Sequence, residues 1–188
     1  MRCFIAIDID EVIKKALGRL QDELRGKADI KKSDAKWVNP ENIHLTLKFL
    51  GEIKDEQAVD VCNITGDVAG GHEGFELDIE SVGHFGSKSA RVLWIGTGQN
   101  CAKLLELQED LEQQLDLAGW PKETRKFSGH LTLCRIRNPR AGVKLAQLAK
   151  EYEDFMLETM VVDSVSVYQS QLMPQGPVYT VLGKYKLL

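Results

Sequence analysis

The sequence predicts an α+β chain built as two similar lobes, and three observations lead there. Apolar residues recur with strand and helix periods in the order strand, helix, strand, helix, strand, and that order occurs twice. A His-Leu-Thr-Leu tetrapeptide stands in the third element of each half, with its histidines at positions 44 and 130. Corresponding elements keep a near-constant offset: 86 residues between those histidines, and 88 between the helix starts expected at Asp55 and Val143. Such an offset points to duplication. The expected organisation is one domain over residues 1–188, made of repeats at about 1–85 and 86–170 plus a C-terminal strand.

Each element has its own warrant. RCFIAID, Arg2 to Asp8, is a strand, and Asp10 to Arg25 is a helix with Ile13, Leu17, Leu20 and Leu24 on one face. Asp10 suits its N-cap and Gly26 its end. A Lys-rich loop leads through Trp37 and Pro40 into a strand from Asn42 to Phe49. Asp55 to Ala69 is a weaker helix because Asn63, Thr65 and Gly66 interrupt it. Phe75 to Val82 alternates as a half-buried strand. In the second half Ala90 to Ile95 is a strand. Asn100 to Ala118 is a helix with an apolar stripe of Leu104, Leu107, Leu111 and Leu115, and Gly119 and Pro121 stop it. A strand from Phe127 to Ile136, a helix from about Val143 to Tyr152, and strands at Val161 to Tyr168 and Val178 to Leu187 complete the chain.

Composition narrows the class. In 188 residues, 43% hydrophobic and 28% charged, there is enough apolar side chain for a core, which excludes a disordered or collagenous chain. No apolar run approaches the roughly 18 residues of a membrane span. MRCFIAID reaches Asp8 after a short apolar stretch, so it reads as a strand rather than a secretion signal. A cytoplasmic protein is expected. Cys3, Cys62, Cys101 and Cys134 lie far apart, without CxxC spacing, and read as reduced and mostly buried thiols.

The net charge of −4 is unevenly spread. Thr124 to Lys150 holds no Asp or Glu but seven Lys and Arg, leaving −11 for the rest of the chain. A basic segment within an acidic protein suits a discrete anionic ligand better than a long duplex.

The two motif strands carry the chemistry. On a strand alternate side chains share a face, so His44 sits beside Thr46, and His130 beside Thr132, while the leucines back the core. With four His and seven Thr in the chain, about 0.15 His-x-Thr pairs are expected by chance. One imidazole can act as base while another acts as acid, and threonine hydroxyls can hold phosphate oxygens, which makes a metal-free set for displacement at phosphorus. Metal hydrolysis would call for carboxylates beside the histidines, and neither motif has one. A G-x-S-x-G elbow, a Walker A loop and G-x-G-x-x-G are all absent from the sequence. His72, in a GGHEG loop, reads as exposed, and His84, in a Gly-flanked turn, as structural.

With FIAID at the start, WVNPENIHLTLKFLGE, RVLWIG, SGHLTLCRIR and SQLMPQGPVY, nearly the whole chain resembles the 2H phosphoesterase superfamily, and within it the RNA 2′,3′-cyclic phosphodiesterases, also called 2′–5′ RNA ligases. The resemblance implies antiparallel sheets lining a central cleft, with helices outside. It also implies hydrolysis of RNA 2′,3′-cyclic phosphate ends to 2′-phosphates, with ATP-independent 2′–5′ joining of tRNA halves as a further activity. By residue it assigns His44 as proton donor, His130 as proton acceptor, and Thr46 and Thr132 as phosphate holders. Arg135 is expected to face the phosphate and Phe49 to stack on a base. Strict alternation puts both on the wrong face, so those roles require a bulge or a strand end. Gly129 stands where such proteins commonly have proline, which would loosen the backbone there. No metal or cofactor is expected, and the protein is taken as a monomer. The alternatives are a nucleotide- or RNA-binding module without turnover, and a 2H enzyme of small cyclic nucleotides.

Overall fold

The computed structural model describes residues 1–98, 101–174 and 176–188. Strand β1 (Arg2–Asp8) is almost wholly buried, as its unbroken apolar run requires of a central strand. Helix α1 (Glu11–Ala28) starts where the Ile13 amide donates to the Asp10 carboxylate at 2.8 Å. It runs past Gly26, which is tolerated there, and ends at Asp29 in the left-handed conformation. The loop that follows is less open than expected: it holds a short strand β2 (Ala35–Trp37) and a 3₁₀ turn at Pro40–Asn42. The motif strand β3 spans His44–Glu52.

Helix α2 (Asp55–Ala69) forms despite its interruptions: Ala58, Val61 and Val68 bury its apolar face, and the buried Thr65 hydroxyl is satisfied by donating to the Val61 carbonyl at 2.7 Å. Then come β4 (Phe75–Phe85), β5 (Val92–Thr97) and α3 (Ala102–Leu117), whose Leu104, Leu107, Leu111 and Leu115 are buried as a stripe. The start expected at Asn100 lies outside the described residues. The second motif strand is β6 (His130–Ile136). Helix α4 (Pro139–Glu151) begins before the expected Val143, with Pro139 in its first turn and the Asn138 side chain accepting from the Arg140 amide. The strand expected at Val161–Tyr168 is two strands, β7 (Met156–Val162) and β8 (Ser164–Met173), divided at Asp163. The last strand is β9 (Gly176–Lys186).

All pairings are antiparallel. One sheet has the order β3-β1-β8-β9, the other β2-β6-β5-β4-β7. Apart from β2, the orders correspond: motif strand, first strand of its half, then β8 or β4, then an outer strand. The sheets are therefore not the two halves of the sequence. β4 stays beside β5 because a short hairpin joins them, and the chain changes sheet at Asp163. The helices cross over as well: α1 packs on α4 and β7, while α3 packs on α2 and β3. All four cysteines are free, with Cys3 and Cys134 in the core. Among the described residues no helix is long and apolar enough to cross a membrane.

Candidate active site

The sheets meet along their motif strands, β3 against β6. Each motif strand departs from simple alternation at the same place, and β3 does so once more toward its end, where Leu50 is skipped. In β3 the partners on β1 step from Lys48 to Thr46, skipping Leu47; in β6 the partners on β5 step from Cys134 to Thr132, skipping Leu133. Both are bulges, and both leave two consecutive buried residues, Leu47 with Lys48 and Leu133 with Cys134. The bulge restores the residue five places after each histidine to the histidine's own face. Phe49, 62% exposed, and Arg135, also exposed, thus lie on the side that carries His44 and Thr46 or His130 and Thr132.

A buried glutamine reaches each bulge. From α1, Gln21 donates to the carbonyls of Leu133 at 2.9 Å and Val38 at 2.8 Å. From α3, Gln108 donates to the Leu47 carbonyl at 3.5 Å and to Glu112 at 3.3 Å. Each donor ties the carbonyl at its bulge to a helix, and the Leu133 carbonyl also accepts the Val38 amide at 3.0 Å. Nothing in either helix pattern marked these glutamines, although they stand 87 residues apart, the spacing of the repeat. A further buried tie joins Lys48, 4% exposed, to Glu112 at 2.8 Å and to the Pro121 carbonyl at 2.7 Å. Glu112 also accepts the Glu123 amide, so one ion pair links β3, α3 and the loop that leads to the second motif.

The two imidazoles are anchored alike. Nδ1 of His44 lies 3.0 Å from the Asn42 carbonyl, and Nδ1 of His130 lies 2.7 Å from the Ser128 carbonyl. A carbonyl only accepts, so Nδ1 holds the proton in each ring and Nε2 is left for other work. Neutral, Nε2 is an acceptor; charged, it is a donor. Aromatic rings fix both planes. His44 stacks on Phe4 at 4.6 Å and meets the edge of Tyr179 at 5.2 Å, while His130 meets Phe85 edge-on at 4.9 Å with Trp94 at 6.1 Å. Trp94 in turn lies over Gly83, where any Cβ would come within 2.3 Å of the indole. Burial holds the His44 ring below its ordinary value of 6.5, against the opposing pull of the Asn42 carbonyl and of Asp8.

Beside His44 a groove of about 540 Å³ opens, bordered by Asp8, Lys14, Asn42, Tyr168, Tyr179 and Lys184. Burial raises the Tyr179 phenol, and the positive charge of Arg135 opposes that. The backbone before His130 is not loose: the Gly129 carbonyl accepts the Thr97 amide at 3.1 Å, and a Cβ at Gly129 would lie 2.4 Å from Thr97 Oγ1. Glycine is needed there for close approach. His72 is not fully exposed, since its Nε2 lies 3.2 Å from an Asp110 carboxylate oxygen on α3. His84 is the register partner of buried Leu93 and precedes Phe85, which meets His130, so its ring points away from the cleft. Part of the basic segment is also elsewhere, with Lys144 paired to Asp29 at 3.2 Å. Among the described residues no three His, Cys, Asp or Glu side chains converge as metal ligands.

Known proteins share this fold. The chain matches the model of the LigT like phosphoesterases twice, over residues 7–94 and 95–179. It is 35% identical to the RNA 2′,3′-cyclic phosphodiesterase of Methanothermobacter thermautotrophicus, covering all of this chain and 99% of that one. The protein of the same name from Thermotoga maritima is also 35% identical, over 97% of this chain and 93% of the other. Among solved structures, TT0787 of Thermus thermophilus superimposes with a TM-score of 0.82 at 28% identity, covering 100% and 98% of the two chains. Escherichia coli LigT in complex with 3′-AMP gives 0.78 at 25% identity, covering 99% and 97%. The repeated match, the full-length relatives and the shared two-sheet fold carry one conclusion: this chain belongs to the LigT-like phosphoesterases.

Proposed function

We propose that the protein hydrolyses the 2′,3′-cyclic phosphate ends of RNA to 2′-phosphates. The observation that carries this reading is the pair of His-x-Thr strands in facing sheets, each imidazole pinned through Nδ1 so that Nε2 serves the cleft. The cyclic phosphate sits between them. His130, neutral at Nε2, takes a proton from water as the water oxygen bonds to phosphorus. The bond from phosphorus to the 3′-oxygen breaks, and His44, protonated at Nε2, gives its proton to that oxygen. The Thr46 and Thr132 hydroxyls donate to the nonbridging oxygens, where Arg135 offsets charge that grows in the transition state. Phe49 stacks on a base. Each cycle leaves the proton on His130 and takes one from His44, and solvent exchange resets the pair.

A 5′-hydroxyl of a second RNA in place of water would form a 2′–5′ bond by the same transfers, so joining of tRNA halves belongs to the same site. The full reading is one domain over 1–188, descended from two repeats and acting as a monomer without a cofactor. The names of the relatives support RNA as the substrate class. The test is product analysis with an RNA ending in a 2′,3′-cyclic phosphate, in the presence of EDTA. The expected product is a 2′-phosphate. A 3′-phosphate would reverse the orientation proposed for the ribose, and binding without conversion would overturn hydrolysis in favour of a binding module.

A further inference from the structure

The motif histidines are alike in strand position, in bulge and in the carbonyl that anchors Nδ1, yet the residues opposite them differ. On β1 the register partner of His44 is Asp8; on β5 the partner of His130 is Gly96, which has no side chain. Directly opposed residues in an antiparallel pair have Cβ atoms about 4.5–5.5 Å apart and share a face. The Asp8 carboxylate is held there from two other strands. It accepts from Ser166 Oγ at 3.0 Å and from the Tyr168 hydroxyl on β8, and pairs with Lys184 Nζ on β9 at 3.1 Å. Burial alone would push its carboxyl up, but the bonds from Tyr168, Lys184 and Ser166 outweigh that and hold it below the usual carboxylate range. Asp8 is therefore an anion at neutral pH.

The other groups around His44 do not duplicate this charge. Tyr168 and Tyr179 are phenols kept protonated by burial, Arg135 on β6 is a cation whose charge Tyr179 feels, and Lys14 and Glu41, which also border the groove, are paired with each other. We propose that Asp8 is the positioning residue that makes the two histidines unequal: its anchored carboxylate favours a proton on His44, the acid, against the burial that opposes one, while Gly96 leaves His130 free to act as the base. The inference rests on the hydrolytic reading given above and adds the origin of the division of roles.

The test is a ring-nitrogen NMR titration of His44 and His130, run with the pH profile of kcat/KM on a 2′,3′-cyclic mononucleotide, in wild type, Asp8→Asn and Lys184→Met. Across a cross-strand distance, between the water and surface limits of Coulomb's law, losing the anion moves the His44 midpoint down by about one pH unit. The limb of the rate profile that tracks His44 moves down with it. Lys184→Met leaves the anion less balanced and moves both upward, a reversal that a merely structural disturbance would not produce. His130 shifts by less than half as much in either variant. An unmoved His44 midpoint in Asp8→Asn, or an equal shift at His130, overturns the role of Asp8. Absence of turnover in wild type would instead overturn hydrolysis, and the titration would still read the effect of Asp8 on His44.

Discussion

Gln21 is the side chain through which α1 supports the second motif strand, and replacing it with methionine isolates that support. Methionine keeps the approximate shape but donates nothing. The Leu133 carbonyl would keep the Val38 amide, which reaches it at 3.0 Å, whereas the Val38 carbonyl would lose its side-chain donor at 2.8 Å. An acceptor left without its bond beneath a buried side chain costs about 1–3 kcal/mol. Gln21 is 2% exposed, so water offers no ready substitute, and about 2 kcal/mol is the expected loss. In a chain of this size that lowers Tm by about 4–8 °C. The bulge at Leu133 also aims Arg135, so kcat/KM on a cyclic phosphate should fall about tenfold beyond the stability change, equivalent to roughly 1.4 kcal/mol of transition-state binding. Urea unfolding, a thermal melt and initial rates measured well below Tm separate the two effects. A Gln21→Met protein with wild-type Tm and wild-type kcat/KM would refute the reasoning that the Gln21 amide holds the bulge.

Other predictions follow from the same contacts. Lys48→Met leaves Glu112 buried without its cation and should cost about 3–5 kcal/mol in urea unfolding, while adding Glu112→Gln should restore at least half of that. Gly129→Ala forces a Cβ against Thr97 and should cost about 1–3 kcal/mol with reduced turnover; Thr97→Ala, which removes the obstructing oxygen, should relieve much of the stability loss. His44 is held below 6.5 by burial, so the unfolded chain binds its proton first as pH falls. Its contribution is complete above the unfolded value and is lost as pH drops through the folded one. The stability of wild type should therefore decline from neutral toward mildly acidic pH, and His44→Gln should flatten that part of the curve.

Much of this site was readable because it obeys period two over short distances. His44 and Thr46, or His130 and Thr132, share a face through alternation alone, and the leucines between them mark the core. Phe49 and Arg135 could not be placed that way, because a bulge is set by what surrounds a strand rather than by its own pattern. The donors that hold the bulges, Gln21 and Gln108, come from helices packed on the sheet of the other half. The same non-local logic hid the sheet membership. β4 and β8 are exchanged between sheets by a short hairpin and by a crossing at Asp163, so an apolar run continuous in sequence was divided in space. The importance of Asp8 was also out of reach, since its partners Ser166, Tyr168 and Lys184 lie 158 or more residues away.

In the proposed mechanism two imidazoles, one from each sheet, carry out the displacement together, and removing them one at a time is the most direct check. The measurement is single-turnover hydrolysis of a short RNA with a 2′,3′-cyclic phosphate end, at pH 7 with EDTA, by wild type, His44→Ala and His130→Ala, with substrate affinity measured alongside. Each variant is expected to lose at least about 10²-fold in rate while binding the RNA nearly as well as wild type. Wild-type turnover by either variant would contradict the shared roles of the two histidines.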